Sequence, residues 1–227
     1  MVRSRPAPDA SAASTRERLL AAAVRVLQEE GETAVSTTRL TAEVGIVQSG
    51  FYSHFPSLDA VLAEAAAQVV ADVRGPLRDW MRQLRRLDLA APEGTVDNLR
   101  DHMQRVLVEL RPRWPALAAV QRHRREQTAV GRTLAAAYDD VVDDVTDYLT
   151  SLAVAGGVSV TGSCTQARLA MLAGLVTEMV LHVLESVARS PRPDLRAAAD
   201  LLACSISPAV VSVILPEPRG AEVVSGA

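Results

Sequence analysis

The amino-acid sequence predicts an all-α protein of about ten helices, because apolar residues recur at three- and four-residue intervals along most of the chain. No segment after Pro76 shows the two-residue alternation of a half-buried strand. Proline and glycine divide the periodic segments, as they do where helices begin and end. Hydrophobic residues make up 48% of the chain and charged residues 22%, a composition typical of a globular protein with a buried core.

The N-terminal part of the chain is predicted to form a tail followed by four helices. Residues 1–13 are rich in Ala, Ser and Pro and are predicted to be disordered. Gly31 is expected to end the first helix, Ser36 is a good N-cap for the second, and Gly45 ends it. Gly75 and Pro76 are expected to end the fourth helix. The predicted spans are approximately 15–30, 37–44, 47–54 and 57–74.

Six more helices are predicted after Pro76. Pro208 lies inside the last of them, and a kink or break is expected near residues 205–207 because an internal proline removes one helical hydrogen bond. Residues 216–227 are predicted to form a second disordered tail. The helices are predicted to fall into a small N-terminal domain at 14–56 and a larger domain at 57–215. The approximate spans after Pro76 are 76–89, 95–110, 114–126, 130–154, 164–189 and 193–215.

Charge and cysteine content restrict the function further. The formal net charge of −3 argues against a protein that coats nucleic acid or an anionic membrane by bulk charge, so any nucleic-acid contact must be local. Cys164 and Cys204 lack metal-ligand spacing and are predicted to be reduced, buried thiols in a cytoplasmic protein, with a disulfide as the alternative. No apolar run long enough to span a bilayer is visible, and no membrane partner is expected.

The segment Gly50–Phe55, "GFYSHF", holds three aromatic residues in a chain with only two Phe, two Trp and three Tyr residues. The run from Ser36 to Val61, "STTRLTAEVGIVQSGFYSHFPSLDAV", resembles the DNA-binding region of the TetR family of bacterial transcriptional regulators. The resemblance implies a three-helix helix-turn-helix domain at the N-terminus and a larger helical domain for ligand binding and dimerisation. Phe51 and Phe55 are interpreted as core residues that fix the recognition helix.

The resemblance also implies which residues meet double-stranded operator DNA. Gln48 and Ser49 stand where side chains of a recognition helix reach base edges, and Tyr52 and His54 are candidates for phosphate contacts. A buried Tyr52 ring and a helix-capping role for His54 are the alternatives. The predicted DNA-binding residues are Ser36, Thr38, Arg39, Gln48, Ser49, Gly50, Tyr52, Ser53 and His54.

Several positions depart from the family pattern. Leu58 stands where the family usually has a lysine, Val47 replaces a Ser or Thr cap, Glu32 replaces an aromatic residue, and Arg39 replaces a common acidic residue. Arg39 is expected to restore a phosphate contact. Residues 1–58 contain six arginines and six acidic residues, so the predicted DNA-binding region is neutral overall. Binding is therefore expected to depend on a few placed groups.

The second half of the chain has no pattern that indicates catalysis, and no enzyme activity or cofactor is predicted. Five aspartates between Asp139 and Asp147 are interpreted as a solvated helix face, with a divalent-metal site as the alternative. Large, soft residues scattered among Ala, Leu and Val predict a cavity for a small-molecule effector, as in the family. The predicted ligand-binding residues are Trp80, Met81, Met103, Trp114, Tyr138, Met171, Glu178 and His182.

The last two long helices are apolar on more than one face and need a partner to cover them. The resemblance implies a homodimer through these helices. The sequence therefore predicts a ligand-responsive transcriptional regulator, a repressor released from its operator by a small apolar or amphipathic molecule. The alternative is a ligand-binding or adaptor protein whose helix-turn-helix no longer reads DNA, which Leu58 and the neutral DNA-binding region favour.

Overall fold

The structure, a computed structural model, describes residues 14–84, 92–155 and 157–214, and the predicted tails lie outside these ranges. The described residues form nine α-helices and no strand, which confirms the all-α class. Two short 3-10 helices, Glu32–Ala34 and Arg111–Arg113, join neighbouring α-helices. The α-helices are α1 (Thr15–Glu30), α2 (Thr37–Val44), α3 (Gln48–Phe51), α4 (Leu58–Leu84), α5 (Pro92–Leu110), α6 (Trp114–His123), α7 (Ala129–Ala155), α8 (Ser163–Arg189) and α9 (Leu195–Ile214).

Helix α1 begins at a capping box in which Ser14 and Glu17 each bond the other's backbone N–H. Its apolar face, which includes Leu19, Val26 and Leu27, is fully buried. The helix packs against α2, α4 and α6. The first three helices are thereby joined through one hydrophobic core to the start of the larger helical body.

Helix α4 does not end at Gly75 and Pro76, and the prediction of two helices separated there is wrong. Pro76 lies inside one helix of 27 residues. Val73 before the proline and Met81 after it are both buried, so the same apolar face continues past it. Burial of this face stabilises the helix on both sides and outweighs the one backbone hydrogen bond that proline removes.

Asp144 on α7 holds the middle of α4 in place. Its carboxylate accepts hydrogen bonds from Arg74 at 2.8 and 3.2 Å and from Arg78 at 2.9 and 2.6 Å. Arg74 also pairs with Asp140 at 2.6 Å. The interpretation of this aspartate cluster as a solvated face is therefore wrong for Asp144, whose side chain is 7% exposed. Among the described residues, no group of acidic, His or Cys side chains has the arrangement of a metal site.

Three smaller expectations are also corrected. Helix α3 ends at Phe51 rather than near His54. Helix α9 does not break at residues 205–207 but continues with Pro208 inside it, because Ile206 and Val210 pack against the core on either side of the proline. The kink stays a prediction. Cys164 and Cys204 are free, as predicted, but both are exposed rather than buried.

We expect the substitution Asp144→Asn to lower the free energy of unfolding by about 1–3 kcal/mol, because it leaves two arginines without their shared carboxylate. This loss of stability is smaller than that for breaking a fully buried ion pair, because the Arg78 side chain is half exposed and can turn to water. Chemical denaturation of the purified chain measures the change. The exposed Asp147 on the same helix provides the control variant, Asp147→Asn, which should unfold like the parent. Equal stability of Asp144→Asn and parent would contradict the role of Asp144.

The pH dependence of the same variant gives a second test of this prediction. Burial raises the pKa of Asp144, but hydrogen bonds from Arg74 and Arg78 outweigh burial and hold the pKa below its ordinary value. The stabilisation is therefore present above the unfolded pKa of about 3.9 and is lost as the pH falls through the lower folded pKa. The stability difference between parent and Asp144→Asn should shrink in that acidic range.

Candidate nucleic-acid interface and ligand cavity

Helices α2 and α3 form a helix-turn-helix that local sequence signals define. The Ser36 hydroxyl accepts a hydrogen bond from the backbone N–H of Arg39 at 3.3 Å and caps α2. Gly45 ends α2 in the left-handed conformation, with φ 75° and ψ 36°, which other residues adopt at a cost. Val47 precedes α3 and makes no side-chain cap. The short α3 is therefore held by packing rather than by its own cap.

The aromatic cluster fixes α3 against the rest of the N-terminal region. Phe51 and Phe55 are 0% and 2% exposed, and their ring centroids lie 5.8 Å apart. The guanidinium of Arg16 lies 4.6 Å from the centroid of the Phe55 ring. Tyr52 meets Phe51 edge-on at 5.4 Å but is itself 57% exposed. The two phenylalanines are thus core residues, and Tyr52 presents its hydroxyl to solvent.

The predicted DNA-binding residues lie together on α2, α3 and the turn that follows α3. Five of them are exposed, namely Thr38, Gln48, Ser49, Tyr52 and Ser53. Four are half-buried, namely Ser36, Arg39, Gly50 and His54. We refer to these nine residues as the reading surface.

Thr37 is a contributor to the reading surface that the sequence analysis missed. The Gln48 side-chain amide donates a hydrogen bond to the Thr37 hydroxyl at 3.1 Å. This contact joins the beginning of α2 to the beginning of α3 and orients the Gln48 amide. Because the two residues are eleven positions apart in different helices, the sequence pattern offered no direct sign of the pairing.

The arginines near the reading surface are all engaged within the described chain. Arg39 forms a two-bond pair with Glu30, and this pair lowers the pKa of the Glu30 carboxyl. The Arg39 guanidinium is therefore already engaged and is not free for the expected phosphate contact. The remaining arginines of residues 14–58 are Arg16, which pairs with Glu64, Arg18, which bonds the Val44 carbonyl, and Arg25, which pairs with Glu29 and Glu43. The surface therefore offers neutral polar groups rather than free cations.

The larger part of the chain encloses an apolar cavity of about 170 Å³ between helices α4 to α9. Three predicted ligand-binding residues, Met81, Met103 and Tyr138, line this cavity. The other five do not line it, namely Trp80, Trp114, Met171, Glu178 and His182.

Helical periodicity explains why two of the α8 residues lie elsewhere. The inward face of α8 carries Leu172, Ala173 and Thr177, which are buried. Met171 is 68% exposed and His182 is also exposed, because both point to the opposite side of the helix. Expecting them in the cavity was wrong.

The remaining three predicted residues support the cavity from outside. Trp80 is partly buried and meets the ring of His102 edge-on, with centroids 6.3 Å apart. Trp114 packs against the core at the start of α6. Glu178 accepts a hydrogen bond from the Tyr138 hydroxyl at 2.9 Å and also pairs with Arg124. These residues hold cavity-lining side chains in place.

The Tyr138 side chain is held on two sides. The Arg124 guanidinium lies 3.9 Å from its ring centroid, and Arg124 also donates to Gln121, which lines the cavity, at 2.9 Å. Burial and the neighbouring Glu178 carboxylate raise the pKa of Tyr138 to about 12, so its hydroxyl stays protonated and keeps donating. The arginine-rich run 121–126 is therefore not a simple exposed face, since Arg124 is largely buried.

His102 on α5 also lines the cavity, and the sequence analysis did not identify it. Its side chain is 2% exposed. Burial, with a smaller contribution from Arg105, lowers the pKa of His102 to about 4, so the ring is neutral at physiological pH. Its neighbours Leu99, Met103 and Val106 continue an ordinary apolar stripe, which is why the sequence did not distinguish it from a core position.

Helix α6 connects the cavity to the N-terminal helices. Val120 and Gln121 line the cavity, and the two residues that follow them contact Glu32. Arg122 donates to Glu32 at 2.6 Å, and the His123 Nε2 atom lies 2.6 Å from the same carboxylate. The His123 Nδ1 atom lies 2.7 Å from Glu126. We call the contact of Arg122 and His123 with Glu32 the α6 bridge.

Comparison with known proteins agrees with this arrangement. Residues 19–65 match the family model of bacterial regulatory proteins of the tetR family. A putative TetR-family regulator from Mesorhizobium loti has a TM-score of 0.63 at 13% identity, covering 88% of this chain and 96% of its own. A putative transcriptional regulator from Rhodococcus sp. RHA1 has a TM-score of 0.64 at 12% identity, covering 90% and 97%.

A third solved structure contains a ligand. FadR from Thermus thermophilus, a TetR-family repressor in complex with lauroyl-CoA, has a TM-score of 0.58 at 17% identity and covers 91% of this chain and 98% of its own. No curated protein sequence matches the chain.

The described residues form a helix-turn-helix at the start of a larger all-α body. The match over residues 19–65 is to the tetR family of bacterial regulatory proteins, and the described chain has the fold of the compared TetR-family regulators. The resemblance noted in the sequence is thereby confirmed.

The α6 bridge leads to a prediction on pH. Burial lowers the pKa of His123, but hydrogen bonds with Glu126 and Glu32 outweigh burial and raise it above its ordinary value. The protonated ring therefore stabilises the fold fully below the unfolded pKa of about 6.5, and this contribution is lost as the pH rises through the higher folded pKa.

We expect this loss to be about 0.5–1 kcal/mol, since the pair is only partly buried. Thermal unfolding of the parent and of His123→Gln, followed from about pH 6 to about pH 9, measures this loss of stability. The stability gap between the two proteins should narrow as the pH rises. A gap that stays constant would show that His123 is not charged in the bridge.

Proposed function

We propose that this protein is a ligand-responsive DNA-binding transcriptional regulator, a cytoplasmic repressor that a small apolar molecule releases from its operator. The observation that carries the proposal is the course of α4. The helix starts three residues after Phe55 of the aromatic cluster, and four of its residues line the cavity: Val70, Val73, Leu77 and Met81. A molecule that shifts this wall also shifts the helix that follows the aromatic cluster and packs against α1.

The reading surface supports direct contact with double-stranded DNA. Gln48 and Ser49 are exposed at the start of α3, where a recognition helix meets base edges. The amide of Gln48 matches the donor and acceptor pair of adenine. Tyr52 is exposed, and its hydroxyl can bond a phosphate, a contact that positions the protein without reading sequence.

A homodimer through α8 and α9 is part of the proposal. Large apolar residues are exposed on these two helices: Met171, Leu175, Leu201 and Val211. By length and composition alone, both helices are long and apolar enough to cross a membrane. They nevertheless pack within the same helical body as the rest of the described chain. A second copy of the chain accounts for this exposed apolar surface, since a two-fold interface covers one patch with the same patch.

The cavity is the proposed effector site. Its described lining is almost entirely apolar with a few polar groups, as small-molecule sites usually are. FadR, one of the structures with this fold, carries its ligand lauroyl-CoA. Effector binding within this helical body is therefore consistent with the fold, although the chemistry of the cavity has to be argued from its own residues.

The neutral reading surface favours a second candidate, a ligand-binding or adaptor protein that no longer reads DNA. Each arginine of residues 14–58 in the described chain has a protein partner, and Leu58 packs against the core instead of offering a cation. Selection of bound sequences from a random DNA pool separates the two candidates. An enriched two-fold symmetric sequence supports the regulator, and no enrichment supports the adaptor.

Replacing Gln48 by alanine tests direct base reading. We expect Gln48→Ala to change the preferred base at one position in each half-site and to cost about 1–3 kcal/mol there, because a paired amide is lost. Tyr52→Phe is the contrasting variant, and it should weaken binding to all sequences by a similar factor. Repeating the selection with each variant measures both effects. An unchanged preference for Gln48→Ala would remove Gln48 from the readers.

Placing charges on the exposed apolar residues of α8 and α9 tests the dimer. We expect the double substitution Leu175→Glu and Leu201→Glu to convert the protein to a monomer, because burying unpaired carboxylates opposes association. Sedimentation velocity measures the mass. Val108 on α5 is exposed to a similar degree, so Val108→Glu is the matched control and should remain dimeric. A dimer in both variants would place the interface elsewhere.

A further inference from the structure

The wall of the cavity carries no fixed charge among the residues that the structure describes. Most of the lining side chains are Val, Leu, Ile and Met, and the polar ones are neutral amides, hydroxyls and one imidazole. A charged molecule entering this space would lose its hydration without meeting a counter-ion, which costs several kcal/mol even after relaxation. The chemistry of the wall therefore selects against ionised ligands.

Most polar groups of the wall already have partners within the protein. The Tyr138 hydroxyl donates to Glu178, the Gln121 amide oxygen accepts from Arg124, and the Thr177 hydroxyl donates to the Ala173 carbonyl at 2.9 Å. Tyr148 also has a polar or ring interaction. Ser207 is half-buried at the α9 side. The groups that already have partners have little capacity left to recognise a ligand, which leaves Ser207 and His102 as the polar side chains of the described wall without a hydrogen bond to a described residue.

His102 differs from these groups. It is almost fully buried, it lines the cavity, and its ring nitrogens form no hydrogen bond with any described residue. Its one described ring contact is with Trp80, which it meets edge-on. Buried polar groups in proteins are nearly always hydrogen-bonded, so a ring of this kind beside a cavity indicates a group that arrives with the ligand.

We propose that the cavity binds a compact, uncharged hydrocarbon with a single hydroxyl group, such as a phenol or an alicyclic alcohol, and that His102 is the residue that hydrogen-bonds this hydroxyl. A hydroxyl both donates and accepts, so it pairs with either tautomer of a neutral imidazole. The proposal rests on the proposed function in that it names the class of effector for the same cavity.

The size of the cavity limits the hydrocarbon part. An apolar cavity of about 150 Å³ is large enough to hold benzene. The cavity here, at about 170 Å³, therefore fits a molecule with one substituted ring. A phosphorylated head group would place charge against a wall whose described residues carry none.

Calorimetric titration of the full-length protein with three ring compounds tests the proposal without DNA. The probes are para-cresol, para-xylene and para-toluate, which share a methylated ring and differ in carrying a hydroxyl, a methyl or a carboxylate group. We expect the parent to bind para-cresol at least about tenfold more tightly than para-xylene, because para-xylene leaves the buried His102 ring without a hydrogen-bond partner. It should bind para-toluate most weakly.

Substitutions at His102 identify the partner of the hydroxyl. His102→Phe keeps a ring against Trp80 but cannot hydrogen-bond, and it should shift the affinity ratio of cresol to xylene by at least about tenfold towards xylene. His102→Gln retains donor and acceptor atoms and should keep a preference for cresol. Ser207→Ala removes the other hydroxyl without a described partner, on α9, and should keep the ratio of the parent.

Several outcomes would overturn the proposal. These are an equal ratio in the parent and His102→Phe, tighter binding of the carboxylate than of the phenol, or no binding of any probe by the parent. A separate experiment measures whether para-cresol releases the protein from the DNA sequence that the random-pool selection enriches. Cresol binding that depends on His102 but releases no DNA would support this inference and count against the proposed function of the cavity as an effector site.

Discussion

The continuity of α4 past Pro76 is the feature on which the rest of the structure depends. A helix of 27 residues is about 40 Å long, enough to run from the aromatic cluster to the far wall of the cavity. Its middle is held to α7 by the ion pairs of Arg74 and Arg78 with Asp144. Had the helix ended at the proline, it would still reach the cavity through Val70 and Val73 but would lose Leu77 and Met81 from the cavity wall. Because it continues, a tilt at one end reaches the other.

Helix α6 provides a second connection over a shorter distance. Gln121 at the cavity is adjacent in sequence to Arg122, which pairs with Glu32 beside the reading surface. Two separate helices therefore join the cavity to the N-terminal helices, and any displacement has to satisfy both. Coupling energies between sites are usually about 1–3 kcal/mol, which is comparable to what a few partly exposed ion pairs contribute. Coupling of that size therefore requires neither large motions nor unfolding of the helical body.

The parts of the fold that local sequence determines were predictable, and the parts that distant partners determine were not. Ser36 and Gly45 act on backbone groups within a few positions, so the bounds of α2 followed from the pattern. Pro76, by contrast, is tolerated because the apolar face on both sides of it is buried against helices that are distant in sequence. His102 lies in an apolar stripe that gives no sign of the cavity beside it, and the outward direction of Met171 and His182 depends on how α8 is rotated against α7.

The ion pairs of the N-terminal arginines explain how a reading surface without free cations can still bind DNA under the proposed function. Arg16, Arg25 and Arg39 brace the N-terminal helices through ion pairs, so their charge is used for rigidity rather than for phosphates. Under the proposed function, each reading surface then makes few ionic contacts and binds weakly alone. Joining two such surfaces in one dimer makes the second contact intramolecular, which raises the overall affinity by orders of magnitude when the spacing fits successive grooves. The exposed apolar faces of α8 and α9 would thus be a condition of DNA binding, and a ligand that changes the spacing would act on this gain rather than on any single contact.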